Sequence, residues 1–393
     1  MTIHISKQTA RRFLLHKQLL LPPQSLIGKQ GIETVFNTLR LIQYDPLNPC
    51  GRNVDLVLQA RVKHIHSNDY YQWLYKEHKG IECYDKELCV IPIEDVKLTG
   101  YIQEEWKRYI VQKSFFETYE QELEQLVQKI HTEGPLCSAD IMDTRRVNLF
   151  WSESQWGRAA LETLWKLGEL VIVKRENGKK YYDIPQKVYG ATYQELRQTN
   201  VSITEGHIMR RITSVGMLPL SGTGSGWLGV WTGKEINKII TTLIAQEKLI
   251  EVAVEGVKQR YVINANDKKF LTSIDNQLIQ KKQIIFLAPL DNLLWDRTMI
   301  KNIFDFDYKW EVYTPLKQRK FGYYVLPILY GDSFIGRIEP VLNKDKNLEI
   351  KGFWQEGEAV WNNTMWKELY LALEKFKKYL EAKEIVGMDK ITQ

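Results

Sequence analysis

Two stretches of the chain, 79 residues apart, repeat one pattern, and that repeat limits the available folds more than any other feature. The first runs from Leu161 to Ile184 and the second from Ile240 to Ile263; Leu164, Leu170, Tyr182 and Ile184 of the first match Leu243, Leu249, Tyr261 and Ile263 of the second. Each opens with apolar residues at helical spacing. Each then passes into strand alternation, a tight turn at Asn177-Gly178 or Glu255-Gly256, and a returning strand. A change of period from about 3.6 to about 2 marks helix giving way to strand, and Asn-Gly is a strong hairpin signal. Helix followed by hairpin is the second half of a winged helix.

The N-terminal region reads the same way. Ser6 is placed to cap a helix over Lys7–Leu20 that Pro22 and Pro23 stop. Further helices are predicted at Ile32–Leu41, Val54–Val62 and Asp69–Lys76, with a strand near Glu87–Ile91, which is helix-turn-helix or winged-helix arithmetic. Toward the C-terminus strands are predicted at Ile284–Leu287, Trp310–Thr314, Tyr323–Leu329, Phe334–Val341 and Leu348–Trp354. A helix from Asn363 to Lys383 follows, with Trp366, Leu369, Leu373, Phe376 and Leu380 forming one stripe to pack on that sheet. The expected fold class is α+β: tandem winged-helix (helix-turn-helix) domains, then a small C-terminal antiparallel β-sheet or barrel domain with a terminal helix. The expected domains are 1–115, 116–190, 191–278 and 279–393.

Composition narrows the function. With 44% hydrophobic and 26% charged residues the chain of 393 residues is neither disordered nor fibrous. No apolar run approaches the ~18 residues of a membrane span, and the first residues carry no signal-peptide core, so a cytoplasmic protein is expected, nucleoid-associated if bacterial. Cys50, Cys83, Cys89 and Cys137 have neither zinc-knuckle nor disulfide-scaffold spacing and read as free thiols. The net charge of +6 is concentrated: nine basic residues up to His66 face three acids, and the remainder of the chain balances. A polyanion therefore has its natural dock on the first module, against the plainer reading of a solvated basic face.

Three motifs bear on chemistry. Gly224-Ser-Gly-Trp-Leu-Gly229 satisfies the spacing of a dinucleotide fingerprint but lacks the flanking strand and helix, so it reads as a connector that could offer backbone amides to DNA. Asp291, Asp296, Asp305 and Asp307 would suit a divalent ion for nuclease chemistry, yet they alternate with Leu294, Trp295, Phe304 and Phe306 as turn acids do. No metal site and no cofactor is expected. In Gln43-Tyr44-Asp45-Pro46 the proline pushes Asp45 toward an extended conformation, so that Gln43 and Asp45 share one face while Ile42 and Tyr44 take the core side. That pairs an amide with a carboxylate in the most basic region. The alternative is that Asp45 caps the next helix.

Leu41-Ile-Gln-Tyr-Asp-Pro-Leu-Asn48, Arg52 and Leu56-Val-Leu-Gln-Ala-Arg61 resemble the AlkZ/YcaQ family of winged-helix DNA glycosylases. The resemblance extends to Ala288-Pro-Leu-Asp-Asn-Leu-Leu-Trp-Asp-Arg297, Phe304-Asp-Phe-Asp-Tyr308 and Gly322-Tyr-Tyr-Val-Leu-Pro327, in the same order along the chain. It implies a monomeric enzyme that binds double-stranded DNA in a basic concavity, excises alkylated purines and unhooks interstrand crosslinks. Gln43 and Asp45 would be catalytic, in the Gln-x-Asp form of the YcaQ-like branch. Lys7, Arg11, Arg12, Lys29, Asn48, Arg52, Arg61 and Lys63 would contact DNA, with Tyr44, Asp291, Asn292, Trp295 and Arg297 in supporting roles. A purine alkylated on a ring nitrogen is already cationic and leaves without a general acid, so one carboxylate to stabilise the oxocarbenium ion and activate water suffices. No lysine in the motif offers Schiff-base chemistry, so a monofunctional, metal-independent glycosylase is expected. The competing expectation is a winged-helix transcriptional regulator that binds DNA without catalysis.

Overall fold

The structure is a computed structural model and describes residues 2–149, 152–197, 202–227, 229, 231–274, 281–357 and 361–391. The fold is mixed α+β, and the chain forms two compact units. One unites residues 1–70 with 208–393; the other is residues 71–207. The expected boundary at 278/279 lies outside the described residues.

The larger unit starts with a strand missing from the predicted elements. Thr2–Ile5 lies parallel to Leu249–Val254, with Thr2 opposite Glu251, and so extends the second of the two repeated hairpins. That hairpin pairs Leu249 with Asn264 and Ala253 with Arg260, and Leu218–Pro219 closes its other edge. The preceding helix, Gly233–Ala245, begins where Thr232 accepts from the Glu235 amide and Glu235 answers at the Thr232 amide, a reciprocal cap. The first helix, Lys7–Lys17, starts at Ser6, whose hydroxyl accepts from the Thr9 amide at 3.0 Å. It buries Ala10, Phe13, Leu14 and Leu15 and stops three residues short of the expected Leu20, because Leu19 turns into the left-handed region at φ 56°.

The C-terminal sheet is a five-stranded curl. Ile284–Phe286, Leu326–Tyr330, Ser333–Leu342 and Leu348–Gln355 form an antiparallel meander, and Ile385–Val386 adds in parallel at the far edge. The helix Asn363–Tyr379 lays its stripe on it, Phe376 meeting Phe286 edge-on at 5.7 Å. It ends before the expected Lys383, since Glu381 adopts φ 53°. The strand predicted over Trp310–Thr314 is not one. Thr314 turns back to the Glu311 carbonyl, and the Glu311 carboxylate accepts the amides of Lys320 and Phe321 at 2.9 Å, folding the segment into a loop.

The smaller unit holds the first repeated helix and hairpin. Trp156–Leu167 is followed by Val171–Glu176 and Lys179–Asp183, joined by Asn177 and Gly178 at φ 48° and 79°, as a type I′ turn requires. A second hairpin sets Gly80–Tyr84 against Leu88–Pro92. Its buried Glu82 is held by Arg175 at 2.6 and 2.9 Å and by the Tyr75 hydroxyl, and the arginine keeps the carboxyl below the usual carboxylate range despite burial. All four cysteines are free thiols, and no described helix is long and apolar enough to cross a membrane.

Candidate active site

Asp45 sits in the turn after the two-residue strand Ile42–Gln43. Its carboxylate accepts the Leu47 amide at 2.9 Å, an Asx turn that Pro46 presets. The capping alternative fails: the helix Asn53–Gln59 begins at Arg52, whose amide is bound by Asp55 instead, at 3.2 Å. Asp45 is half-buried, and among the described residues the Leu47 amide is its one hydrogen-bond donor. Burial therefore raises its pKa, with the Leu47 amide opposing the shift. The expected division of faces is only partly realised. Ile42 and Tyr44 are buried as foreseen, but Gln43 is buried too, at 7% exposure against 6% for Tyr44. Its Oε1 has no hydrogen-bond partner among the described residues.

The backbone under these side chains is pinned at alternate carbonyls. Asn292 donates to the Leu41 carbonyl at 2.7 Å and to the Ser214 carbonyl at 3.1 Å. Asn53 donates to the Gln43 carbonyl at 2.7 Å while accepting the Leu290 amide at 3.1 Å. The Pro49 carbonyl accepts from the Leu342 amide at 2.6 Å, tying the far end of the loop to the C-terminal sheet. Tyr324 is buried within electrostatic reach of Asp45. The placement of Gln43 and Asp45 thus rests on Asn53, ten residues beyond Gln43, and on Asn292, 251 residues beyond Leu41, which anchor the loop to both near and distant parts of the chain. Asn53 escapes a reading of the sequence; its one signal is a polar residue opening the helical stretch Val54 to Leu58, whose own polar member, Asp55, caps the helix start. Asn53→Ala would strand the Gln43 carbonyl and the Leu290 amide, and a loss of about 1–3 kcal/mol for each group left unsatisfied is expected in urea unfolding.

Arg61 requires a correction. Expected at the DNA, it is 0% exposed, as is Asp291. Its guanidinium holds both Asp291 oxygens, at 2.8 and 2.9 Å, together with the carbonyls of Gln18 at 2.6 Å and Val57 at 2.8 Å. No donor remains for a phosphate, so Arg61 positions the helix that carries Asn53. The other basic residues lie at or near the surface with protein partners of varied strength. Lys7 and Arg11 share Asp305, at 2.8 and 2.7 Å, and Arg12 faces Asp332 at 3.5 Å. Arg52 donates to Asn68 at 2.6 Å, and Asn48 accepts the Gly51 amide at 2.9 Å. Lys29 and Lys63 are exposed. Asp291 and Asn292 are fully buried, and Trp295 donates to the Leu290 carbonyl at 3.0 Å, so these three support the motif loop, whereas Arg297 is exposed.

The two remaining motifs resolve into structure. The glycine-rich segment wraps Asp296: the Gly226 amide donates to its carboxylate at 3.3 Å, and a Cβ on Gly224 would fall 2.4 Å from it, which explains the glycine. That amide is thus taken up inside the protein, where the sequence suggests a connector touching DNA; Leu228 lies outside the described residues. The four aspartates are each committed elsewhere. Asp291 holds Arg61, Asp296 caps Arg297–Phe304 through the Met299 amide, Asp305 binds Lys7 and Arg11, and Asp307 binds Lys301. Among the described residues no group of three or more His, Cys, Asp or Glu is placed to hold a metal ion.

A half-buried carboxylate, Asp45, and a buried amide, Gln43, thus lie two residues apart on a loop clamped by Asn53 and Asn292. The fold matches a solved structure, the Streptomyces sahachiroi DNA glycosylase AlkZ, with a TM-score of 0.61 at 12% sequence identity, covering 98% of this chain and 99% of that one. The family model described as DNA glycosylase AlkZ-like matches residues 36–379, a span that holds Gln43, Asp45, Asn53, Arg61, Asp291 and Asn292 together. The chain belongs to the AlkZ-like DNA glycosylase family.

Proposed function

We propose that this protein is a monofunctional glycosylase that hydrolyses the N-glycosidic bond of purines alkylated on a ring nitrogen in duplex DNA and unhooks interstrand crosslinks built on such bonds. It works as a cytoplasmic monomer without a metal. The observation that carries the reading is the Asp45 carboxylate, half-buried, with one amide donor among the described residues and a pKa raised by burial. A carboxylate left with so much of its charge uncompensated is suited to a cationic transition state and to taking a proton from water. In the reaction the bond from C1′ to the purine nitrogen breaks, its electron pair leaving with the base. Water adds to C1′ and its proton passes to Asp45. Gln43 holds the water or the sugar through its amide. Winged-helix units built on the two repeated helix–hairpin segments, and on the N-terminal helices, supply the DNA-binding surface, with domains at 1–115, 116–190, 191–278 and 279–393. Lys7, Arg11, Arg12, Lys29, Asn48, Arg52 and Lys63 grip phosphates in this reading.

The acid limb of activity follows from the sign of the Asp45 shift. The working form is the anion, and its pKa is raised, so single-turnover base release is expected to rise with pH through a value above the ordinary aspartate range and then level off. Mass-spectrometric detection of the freed base from alkylated duplex, in EDTA, across pH, checks both the reaction and the limb. A DNA-binding regulator would release no base at any pH.

A further inference from the structure

A cleft of about 470 Å³ in the larger unit, lined by none of the motif-loop residues, carries a cationic rim over an apolar floor. The floor is the strand Ile284–Phe286, and the rim carries Lys63, His64, His66, Lys375 and Lys378. These side chains come from distant parts of the sequence, the segment after the Asn53–Gln59 helix and the C-terminal turns of Asn363–Tyr379. A lysine in the last turn of a helix is explained by the helix dipole, and that accounts for Lys378. It does not account for Lys63 and Lys375, which are exposed. Although the Lys375 residue is exposed, its ammonium end is partly shielded in the cleft, donating to Gln24 Oε1 at 3.4 Å; that shielding lowers its pKa first, Glu368 opposes, and Lys281 and Lys63 lower it further. Two ammonium groups act on Lys375 against one carboxylate, and the lysines and histidines of the rim leave an excess of positive charge that a phosphate complements.

We propose that this cleft is a phosphate-binding groove for the duplex flanking the damaged nucleotide, a second DNA-binding place separate from the Gln43/Asp45 loop. It rests on the DNA-binding part of the reading above and not on base excision. The loop from Lys63 to Asp69 connects the two places. His64 and His66 line the groove, while Asn68 accepts from Arg52 at 2.6 Å and donates its amide to Asp55 at 2.8 Å, beside the start of the helix Asn53–Gln59, whose Asn53 holds the Gln43 carbonyl. That helix has seven residues, so its ends are about 10 Å apart at ~1.5 Å per residue. The helix Asn53–Gln59 and the loop after it thus link the residue that holds the Gln43 carbonyl to the lining of the groove. The acids nearby are Glu368, and Asp69 at 3.8 Å from His66; neither closes the groove to an anion.

The test is binding of an undamaged duplex oligonucleotide, followed by fluorescence anisotropy over a range of salt. Lys375→Ala with Lys378→Ala is expected to weaken binding about tenfold at physiological salt and to make the plot of log K against log salt shallower by roughly 0.9 for each phosphate no longer neutralised. Both positions are exposed, so folding is retained and is verified by circular dichroism. Lys344→Glu, in the turn between the third and fourth strands of the C-terminal sheet, controls for net charge. Affinity within twofold of wild type, or an equal weakening by Lys344→Glu, would overturn the groove. Because no excision is scored, a wild type that binds duplex but releases no base would leave the groove standing and remove only the glycosylase reading.

Discussion

Asp45→Asn is expected to lower the rate of base release by about 10²–10⁴-fold, the span ordinarily carried by a positioned acid or base, while leaving the protein folded. Stability should move the other way. Burial raises the pKa of Asp45 in the folded state, so folding favours its protonated form. The favourable contribution is present at low pH and is lost as pH rises through the folded pKa. At neutral pH the ionised carboxylate is a burden on the fold, and an asparagine that still accepts the Leu47 amide removes it. The variant should therefore melt no lower than wild type at neutral pH, and any difference should vanish toward acid. Differential scanning calorimetry beside a single-turnover assay measures both. A variant that lost activity and melted well below wild type would show Asp45 to be a structural residue.

The second large effect is expected at the buried pair beneath the motif. Removing one partner of a fully buried ion pair leaves an uncompensated charge, at a cost of about 3–5 kcal/mol. Arg61→Met leaves Asp291 in that state, and also strands the carbonyls of Gln18 and Val57. Asp291→Asn leaves the guanidinium with a neutral partner and should cost less. The double replacement Arg61→Met with Asp291→Leu should recover part of the loss, because an apolar pair of similar volume is often tolerated where a half-pair is not. Urea unfolding of the three variants reads this directly. Base release should fall with Arg61→Met even at temperatures where the protein remains folded, since the helix bearing Asn53 is anchored through that arginine.

How much of this is legible in the sequence depends on how local the cause is. The Asn-Gly hairpin, the Ser6 cap and the aromatic stripe of the last long helix are set by residues within a turn or two of one another, and the structure has all three. Gln43-Tyr44-Asp45-Pro46 stands out as a candidate for the same reason, the proline fixing the backbone locally, while the sequence leaves a helix cap open for Asp45 and only the structure, with Arg52 at the cap, removes that alternative. Trp310–Thr314 misleads because its alternation resembles a strand, while the deciding fact is the Glu311 side chain folding back onto amides nine and ten residues later. Arg61 misleads because sequence shows a charge and not its depth. Only the fold brings Asp291 against it, 230 residues on. The N-terminal strand is invisible for a related reason: Thr2–Ile5 is a strand only because Leu249–Val254 offers it an edge. Two-residue alternation likewise assigns Gln43 the wrong exposure, because burial is not a property of the local backbone period.

Wild-type and Asp45→Asn protein are incubated, in EDTA, with a duplex carrying one ring-nitrogen-alkylated guanine, and hot alkali is then added to break any abasic site. Strand cleavage that needs the alkali, appears with wild type and is lost with Asp45→Asn is the predicted result. Cleavage at the spontaneous rate by both proteins, on this lesion and on a crosslinked duplex, would contradict it.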